Sequence, residues 1–497
     1  MRLRTRSIII MLSQGLTQAT TIVLGIILVR LISQQTFGTY RQVDLVYLFL
    51  AGVISLQLHS SLYYFIPKLG AELRRTLLLQ TFLVTGAAAL VTAAVMFLGA
   101  GYIARLFHNP ELVPLLRILC LLPFADRLVI LIPAFMISMD RAVRAGTYSL
   151  IAATSRIAVV VIMFAVGFDL PAVMWSIVAV CGVVALVGCA DMVRLCPAGE
   201  WRLVRGILRQ QIGYSWPLLA TAVVGTINLQ LNKLLISMFF GPEAYAVYSC
   251  GAMQLPVVGL ITTSLSIAMM PELVAMAADG RMQQALHTWQ EAARKSSLVI
   301  FPCFVFFLGC GYDLMVLLYG QEYSQASWPF RVYLCSLPVK VAIYATLFRA
   351  AGHTRSIAVA ALIALIVNMA VSTTLVIVGG GGLLSFIGPT LGMVVASWCS
   401  WSFLLWQLTH ITGVQLSRIM RWKELGQVLL VGVVCGLVVF AVPLPAAPLI
   451  VTLAVQGVLY VVVFLGVMLL AGMLKEDEKE MLSWPVLVVR RWRHRRD

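Results

Sequence analysis

Long apolar stretches recur from one end of this chain to the other, and they restrict its fold more than any other feature. Of the 497 residues, 61% are hydrophobic and only 11% are charged, whereas about a quarter of a soluble domain is charged. A run of about 20 apolar residues crosses the hydrocarbon core of a bilayer as an α-helix. The runs are continuous and lack the alternation of a membrane β-barrel. The sequence therefore predicts an all-α membrane protein.

The apolar runs predict about 14 transmembrane helices. The predicted spans are residues 8–32, 41–66, 76–100, 112–138, 147–168, 171–195, 213–239, 244–270, 296–319, 329–349, 356–378, 384–409, 424–442 and 448–473. The basic start followed by an apolar run resembles a signal peptide, but it has no small-residue cleavage site. We interpret it as a retained first helix.

The connecting loops alternate strongly in charge. Lysine and arginine are concentrated in the loops on the same side as the N-terminus, and the opposite loops hold only Arg41 and Arg105. The positive-inside rule therefore places both termini in the cytoplasm. The same distribution explains the net charge of +16 as a topology signal, so we expect no nucleic-acid partner. The connection at 271–295 is polar enough for a short surface helix.

Two pairs of segments indicate an internal repeat. Residues 28–42 resemble 235–249, and residues 116–127 resemble 330–341. Spans 1–6 and 7–12 are therefore predicted to be two copies of one six-helix lobe, related by a pseudo-two-fold axis along the membrane normal, with two extra C-terminal helices. In transporters with such repeats the substrate site lies between the lobes. The predicted domains are an N-lobe at 1–195, a cytoplasmic linker at 196–212, a C-lobe at 213–410, the last two helices at 411–474 and a basic cytoplasmic tail at 475–497.

Charged side chains inside the predicted spans carry the functional argument, because an intramembrane charge costs about 2.5–3.5 kcal/mol on insertion scales. We expect cations within the spans to face a cavity and bind substrate: Arg127, Arg156, Lys233, Lys340, Arg30, Arg117 and Arg331. Asn228 and Asn232 are predicted to line the same polar path, and Asp126 and Asp44 are candidates for ion coupling. Because the cations outnumber the carboxylates, the substrate is predicted to be an anion.

Other interpretations of these cations remain open. Arg30, Arg117 and Arg331 lie near span ends, from which a long side chain can reach the membrane surface. Arg127 has the alternative of an ion pair with Asp126 or with a carboxylate on a neighbouring helix.

The sequence contains no motif for a bound cofactor. No nucleotide-binding motif and no metal-spaced cluster of histidine and cysteine is found, and no two of the ten cysteines have C-x-x-C spacing. We therefore expect a protein that is not an enzyme and that uses no cofactor or metal.

Three motifs resemble those of a known transporter family. They are "FGTY" at 37–40, "LNKLLISMFFGPEAYAVY" at 231–248 and "FRAAGHTR" at 348–355. Together they resemble the polysaccharide-transporter branch of the MOP flippase superfamily, the Wzx-type flippases, over roughly residues 8–410. The chain departs from the family pattern at Asn232, where the family often has aspartate before the lysine of span 7.

The resemblance implies a V-shaped transporter with two six-helix lobes in the bacterial inner membrane. It implies alternating-access movement of an undecaprenyl-diphosphate-linked oligosaccharide, such as an O-antigen or exopolysaccharide repeat unit, from the cytoplasmic to the periplasmic leaflet. The expected partners are this anionic lipid-linked glycan, membrane lipids, and a polymerase or other glycan-assembly proteins. The alternatives are a lipid II flippase or a multidrug exporter of the same superfamily. A membrane glycan polymerase or ligase is a further alternative, but the predicted outer loops are too short for a catalytic domain.

Overall fold

The computed structural model describes residues 23–196, 199–442 and 447–474, and within these ranges the chain is helical and contains no strand. The helices are α1 (23–31), α2 (Gln34–Val53), α3 (Leu58–Phe65), α4 (Arg74–Leu106), α5 (Leu112–Leu119), α6 (Leu122–Ser138), α7 (Ala142–Val166), α8 (Leu170–Leu195), α9 (Arg205–Gly251), α10 (Pro256–Ala278), α11 (Met282–Tyr319), α12 (Ser327–Leu334), α13 (Leu337–Lys340), α14 (Tyr344–Ala350), α15 (Thr354–Val378), α16 (Leu383–Thr412), α17 (Leu416–Ile419), α18 (Trp422–Ala441) and α19 (Leu449–Leu470).

The prediction of an all-α protein with many membrane spans is confirmed. Of the described residues, ten helices are long and apolar enough to cross a membrane, or up to 12 if each of two bent helix pairs counts as one span. Two predicted spans remain outside this count. The span at 8–32 is described only from residue 23, and the span at 112–138 forms the shorter helices α5 and α6. The predicted tail at 475–497 lies outside the described residues.

Several spans that the sequence predicts as continuous are broken. The chain leaves the helix at 54–57 between α2 and α3, and at 252–255 between α9 and α10. The pair α5–α6 and the pair α12–α13 break just before Pro123 and Pro338, each in the first turn of the next helix. Proline has no N–H to continue the preceding ladder, which accounts for the position of these two breaks. They fall at corresponding places in the two similar segments.

The start of α2 differs from the prediction for a local reason. Helix α2 begins at Gln34 rather than at residue 41, because the Ser33 hydroxyl accepts a hydrogen bond of 3.2 Å from the backbone N–H of Thr36 and caps the helix. Arg41 and Asp44 therefore lie inside α2.

The connection at 271–295 does not form a separate surface helix: its start belongs to α10, which ends at Ala278, and residues 282–295 are the first part of the 38-residue helix α11. Ala285, Leu286 and Trp289 in this part are at most 4% exposed. This spacing places them on one helix face, so packing of that face explains why the polar segment continues into the membrane-spanning part.

Contacts within the chain divide it into two compact units. The first unit takes in the described residues up to Pro256, together with Leu318–Pro329 and Ala361–Ala396. The second takes in Val257–Leu317, Phe330–Ala360 and the described residues from Ser397. The lobe boundaries inferred from the repeat stay a prediction. In the first unit, α3, α4, α6 and α8 enclose an apolar core around Leu62, Leu77, Phe135 and Met192, and this core fixes the position of α6.

Candidate functional site

Four helices of the first unit bring six charged side chains together inside the predicted membrane spans. We call this set the charge cluster: Arg41 and Asp44 on α2, Asp126 and Arg127 on α6, Arg156 on α7 and Lys233 on α9. The six residues come from four separate segments of the sequence, so the fold assembles the cluster.

Asp44 is the carboxylate that links most of the cluster. Its Oδ1 lies 3.2 Å from Nη2 of Arg156, and the two side chains are 24% and 27% exposed. Arg41 and Lys233 also lie within electrostatic range of Asp44. One carboxylate therefore serves three cations, and it can compensate only one of them. The predicted span 41–66 has Asp44 near its start, and the earlier start of α2 moves this residue into the middle of the helix.

The neighbouring residues Asp126 and Arg127 bind α2 separately. The hydroxyl of Tyr47 donates a hydrogen bond to Oδ2 of Asp126. Nη2 of Arg127 donates to the backbone carbonyl of Ala51. The alternative in which Arg127 pairs with Asp126 is therefore not what the structure shows, and Arg127 binds a helix carbonyl instead.

Arg41 and Lys233 have neither a carboxylate partner nor a hydrogen bond among the described residues, whereas Arg127 has the carbonyl of Ala51. Within the described residues, Lys233 has no hydrogen-bond or ion-pair partner, although it is partly buried. The guanidinium of Arg41 lies 5.1 Å from the ring centre of Phe37, and its Nε is buried without a hydrogen bond. The cluster holds four cations and two carboxylates, so two positive charges remain uncompensated. Uncompensated charges inside a membrane usually mark a substrate or ion pathway.

The structure shows both predicted amides in a contact between two helices, and their role in lining a polar path stays a prediction. Nδ2 of Asn368 donates a 3.0 Å hydrogen bond to Oδ1 of Asn228. The hydroxyl of Ser372 lies 3.5 Å from Oδ1 of Asn232, which is only 6% exposed. Both partners are on α15, so these amides join α9 to α15, as polar side chains commonly do between membrane helices.

Two predicted cavity cations lie in the second unit and have local partners there. Nζ of Lys340 is 3.2 Å from the hydroxyl of Tyr333 and 5.1 Å from the centre of its ring. Nη2 of Arg331 donates a 3.2 Å hydrogen bond to the carbonyl of Gly309. Their role in substrate binding stays a prediction.

Arg30 and Arg117 are exposed side chains near helix ends. The guanidinium of Arg117 lies 5.5 Å from the ring centre of Phe97. These positions agree with the alternative in which the side chains reach the membrane surface. Arg41 is absent from the predicted site, because the predicted topology puts it in an outer loop. The signal that identifies Arg41 is Ser33, because a serine cap starts α2 two turns before this arginine.

The ion pair of Asp44 and Arg156 gives a testable prediction. Asp44→Asn leaves three neighbouring cations without their carboxylate, so the amount of folded protein in membranes should fall several-fold. Glu200→Gln is the matched control, since Glu200 and Arg202 form a 3.2 Å pair whose side chains are 77% and 60% exposed; an exposed pair contributes little. Fluorescence-detected size-exclusion chromatography measures the folded protein.

The double substitution Asp44→Arg with Arg156→Asp restores the pair in the opposite sense. We expect it to recover most of the folded protein that Asp44→Asn loses. Recovery no better than that of the single substitution would contradict a stabilising role for this ion pair.

Comparison with known proteins identifies the family of the chain. A protein-family profile described as "Polysaccharide biosynthesis protein" matches residues 27–328. The chain belongs to this family. The matched region contains every residue of the charge cluster. No curated protein matches the chain.

Solved structures of membrane transporters have the same fold. The lipid II flippase MurJ in an inward closed conformation matches with a TM-score of 0.70 and 13% identity, covering 92% of this chain and 98% of that one. An inward-facing multidrug-resistance MATE transporter of the MOP superfamily matches with a TM-score of 0.62 and 14% identity, covering 81% and 96%. A MOP superfamily transporter from Pyrococcus furiosus matches with a TM-score of 0.54 and 14% identity, covering 82% and 95%. At these identities the similarity shows the fold: this is a multi-pass membrane protein with a MOP-transporter architecture.

Proposed function

We propose that the protein is a flippase that moves an undecaprenyl-diphosphate-linked oligosaccharide from the cytoplasmic to the periplasmic leaflet of the bacterial inner membrane. An O-antigen or exopolysaccharide repeat unit would be such a substrate. Membership of a polysaccharide biosynthesis family and the fold of MOP transporters support this function. The observation that carries the proposal is the excess of two positive charges in the charge cluster.

In this proposal the diphosphate of the substrate binds Lys233, Arg41 and Arg156. Charge pairs are several times stronger at the low dielectric of a membrane protein than in water, and arginine can bind phosphate oxygens with two parallel hydrogen bonds. Asp44 competes with the diphosphate for the same cations. This competition keeps the affinity low enough for release on the far side. The polyprenyl chain stays in the lipid while the protein alternates between inward-open and outward-open states, with both of its termini in the cytoplasm.

The charge balance argues against export of cationic drugs. An exporter of cations needs carboxylates available for its substrate, whereas Asp44 pairs with Arg156 and Asp126 accepts a hydrogen bond from Tyr47. Lipid II carries the same undecaprenyl diphosphate, so an experiment must decide between lipid II and an oligosaccharide lipid as the substrate.

A reconstituted flipping assay tests the function. The purified protein is placed in liposomes that contain a fluorescent undecaprenyl-diphosphate oligosaccharide, fluorescent lipid II or a cationic dye, and the label that becomes accessible to a membrane-impermeant quencher is followed with time. We expect the oligosaccharide lipid to move faster than in protein-free liposomes. We also expect a variant with both Arg41→Gln and Lys233→Gln to approach the protein-free rate.

The other substrates identify the alternatives. Faster movement of lipid II than of the oligosaccharide lipid would favour a lipid II flippase. Transport of the dye without movement of either lipid would refute the proposal in favour of a drug exporter.

A further inference from the structure

Two adjacent residues of α6 hold the end of α2 at two points. Asp126 accepts the hydrogen bond from the Tyr47 hydroxyl, and Arg127 donates to the carbonyl of Ala51. Tyr47 and Ala51 are four residues apart and therefore lie on the same face of α2. The contact is thus made by one short segment of α6 along one face of the last turns of α2.

The carbonyl of Ala51 needs a partner because the helix stops there. The last backbone bond of α2 runs from the N–H of Ile54 to the carbonyl of Leu50. The chain then passes through Gln57, whose φ of 51° is left-handed, before α3 begins. Carbonyls in the last turn of a helix have no intrahelical donor, and an unsatisfied carbonyl inside a membrane costs several kcal/mol. The guanidinium of Arg127 supplies the missing donor, and its charge suits the negative end of the helix dipole.

The side chain of Arg127, on α6, reaches the break between α2 and α3. It lines a cavity of about 20 Å³ together with Ser55, His59 and Thr85. Nε of Arg127 is also buried without a hydrogen-bond partner. Beyond this point α3 continues at an angle of 46° to α2. The side chain of Arg127 is therefore held by the carbonyl of Ala51 and by the residues that line this cavity.

The second bent pair among the described residues joins Gln321–Leu334 to Leu337–Ala350, and its backbone carbonyls have other kinds of hydrogen-bond donor. The carbonyl of Cys335 accepts a 3.1 Å hydrogen bond from Nε1 of Trp398. The carbonyl of Val341 accepts a 2.6 Å hydrogen bond from the hydroxyl of Ser296. Both donors are neutral side chains, so of the two bent pairs in the described residues, the one after α2 is the one with a charged donor at its break.

We propose that Asp126 and Arg127 form a two-point bracket that fixes the end of α2 and its bend into α3, and that Arg127 acts as a positioning residue rather than as a ligand of the substrate. Arg41 and Asp44 lie on α2 ahead of the bracket, and Asp44 is three residues from Tyr47. The bracket therefore sets the rotation and depth at which α2 presents these two charges to Arg156 and Lys233. The positioning role rests on the proposed function, whereas the bracket itself does not.

Hydrogen-exchange mass spectrometry of the purified protein tests the bracket without any substrate. Arg127→Met removes the donor to Ala51, and Tyr47→Phe removes only the hydroxyl that binds Asp126. We expect amide exchange at residues 52–60 to rise by about tenfold in Arg127→Met and by about threefold in Tyr47→Phe, because the break opens more often. Trp398→Phe is the matched control, since it removes the donor at the second break and should leave exchange at 52–60 unchanged.

The flipping assay on the same variants separates positioning from direct binding. If the bracket positions α2, Tyr47→Phe slows transport although it removes no charge. Unchanged exchange at 52–60 in both variants would overturn the bracket. Slow transport in Arg127→Met with parental transport in Tyr47→Phe would overturn the positioning role. If the parent protein moves no lipid but the exchange changes as expected, the proposed function fails and the bracket stands.

Discussion

Lys233→Ala is expected to reduce flipping of the lipid-linked oligosaccharide by at least tenfold. A hydrogen bond to a charged group contributes about 1.5–3 kcal/mol, which corresponds to a factor of about 10 to 150 in binding. Within the described residues Lys233 has no hydrogen-bond or ion-pair partner, so its removal leaves no buried group unsatisfied. The amount of folded protein should therefore stay at the parental level while transport falls, and the reconstituted assay with quantified protein measures both.

Charge-conserving and charge-removing substitutions make this prediction specific. Lys233→Arg should retain more transport than Lys233→Ala, because the positive charge remains, even though the two side chains bind phosphate with different geometry. Lys423→Ala, in an exposed position in the first turn of α18, is the control and should transport normally. If Lys233→Gln transports as well as the parent, Lys233 does not bind the substrate and its assignment to the binding site is wrong.

Most of the membrane spans could be predicted from sequence because the thickness of the bilayer sets the length of each apolar run. The helix break at 54–57 could not be predicted from the sequence. The segment Ile54–Gln57 contains neither glycine nor proline, and the break is stabilised by Arg127, which is 76 residues away from Ala51 in sequence. A break that depends on a distant side chain leaves no local pattern. The breaks before Pro123 and Pro338 do leave one, since proline marks them.

The presence of charged side chains inside the membrane could be predicted from the sequence, but the pairs that they form could not. The cost of an intramembrane charge identified Arg156 and Lys233 from their depth alone. The ion pair of Arg156 with Asp44 joins residues 112 positions apart in sequence, so only the tertiary structure reveals it. Asn232 lies beside Lys233 in sequence, yet a helix turns by about 100° between adjacent residues. The two side chains therefore face different neighbours, and Asn232 packs against α15.

The close approach of α2 and α9 within the first unit predicts a large effect from one methyl group. A Cβ added at Gly38 would lie 2.0 Å from the backbone carbonyl oxygen of Pro242, a separation that real Cβ atoms do not show. Because the obstacle is backbone, no side-chain rotation can make room, and the two helices must move apart. One turn along α2, Nε2 of Gln42 donates a 2.8 Å hydrogen bond to the hydroxyl of Ser237 on α9, and both side chains are fully buried. Separation of the helices would leave these groups unsatisfied.

Gly38→Ala should therefore lower the apparent melting temperature of the detergent-purified protein and the amount recovered from membranes. Overpacking of this kind costs about 1–3 kcal/mol, and the lost buried hydrogen bond adds about 1–3 kcal/mol. Gly86→Ala in α4 is the matched control, because a Cβ there has no atom within 4 Å, and alanine stabilises a helix interior by about 0.5–1 kcal/mol relative to glycine. Gly38 does not have a positive φ, so backbone strain cannot account for a difference between the two variants. If Gly38→Ala melts at the same temperature as Gly86→Ala, the close contact of α2 with Pro242 does not hold these helices together.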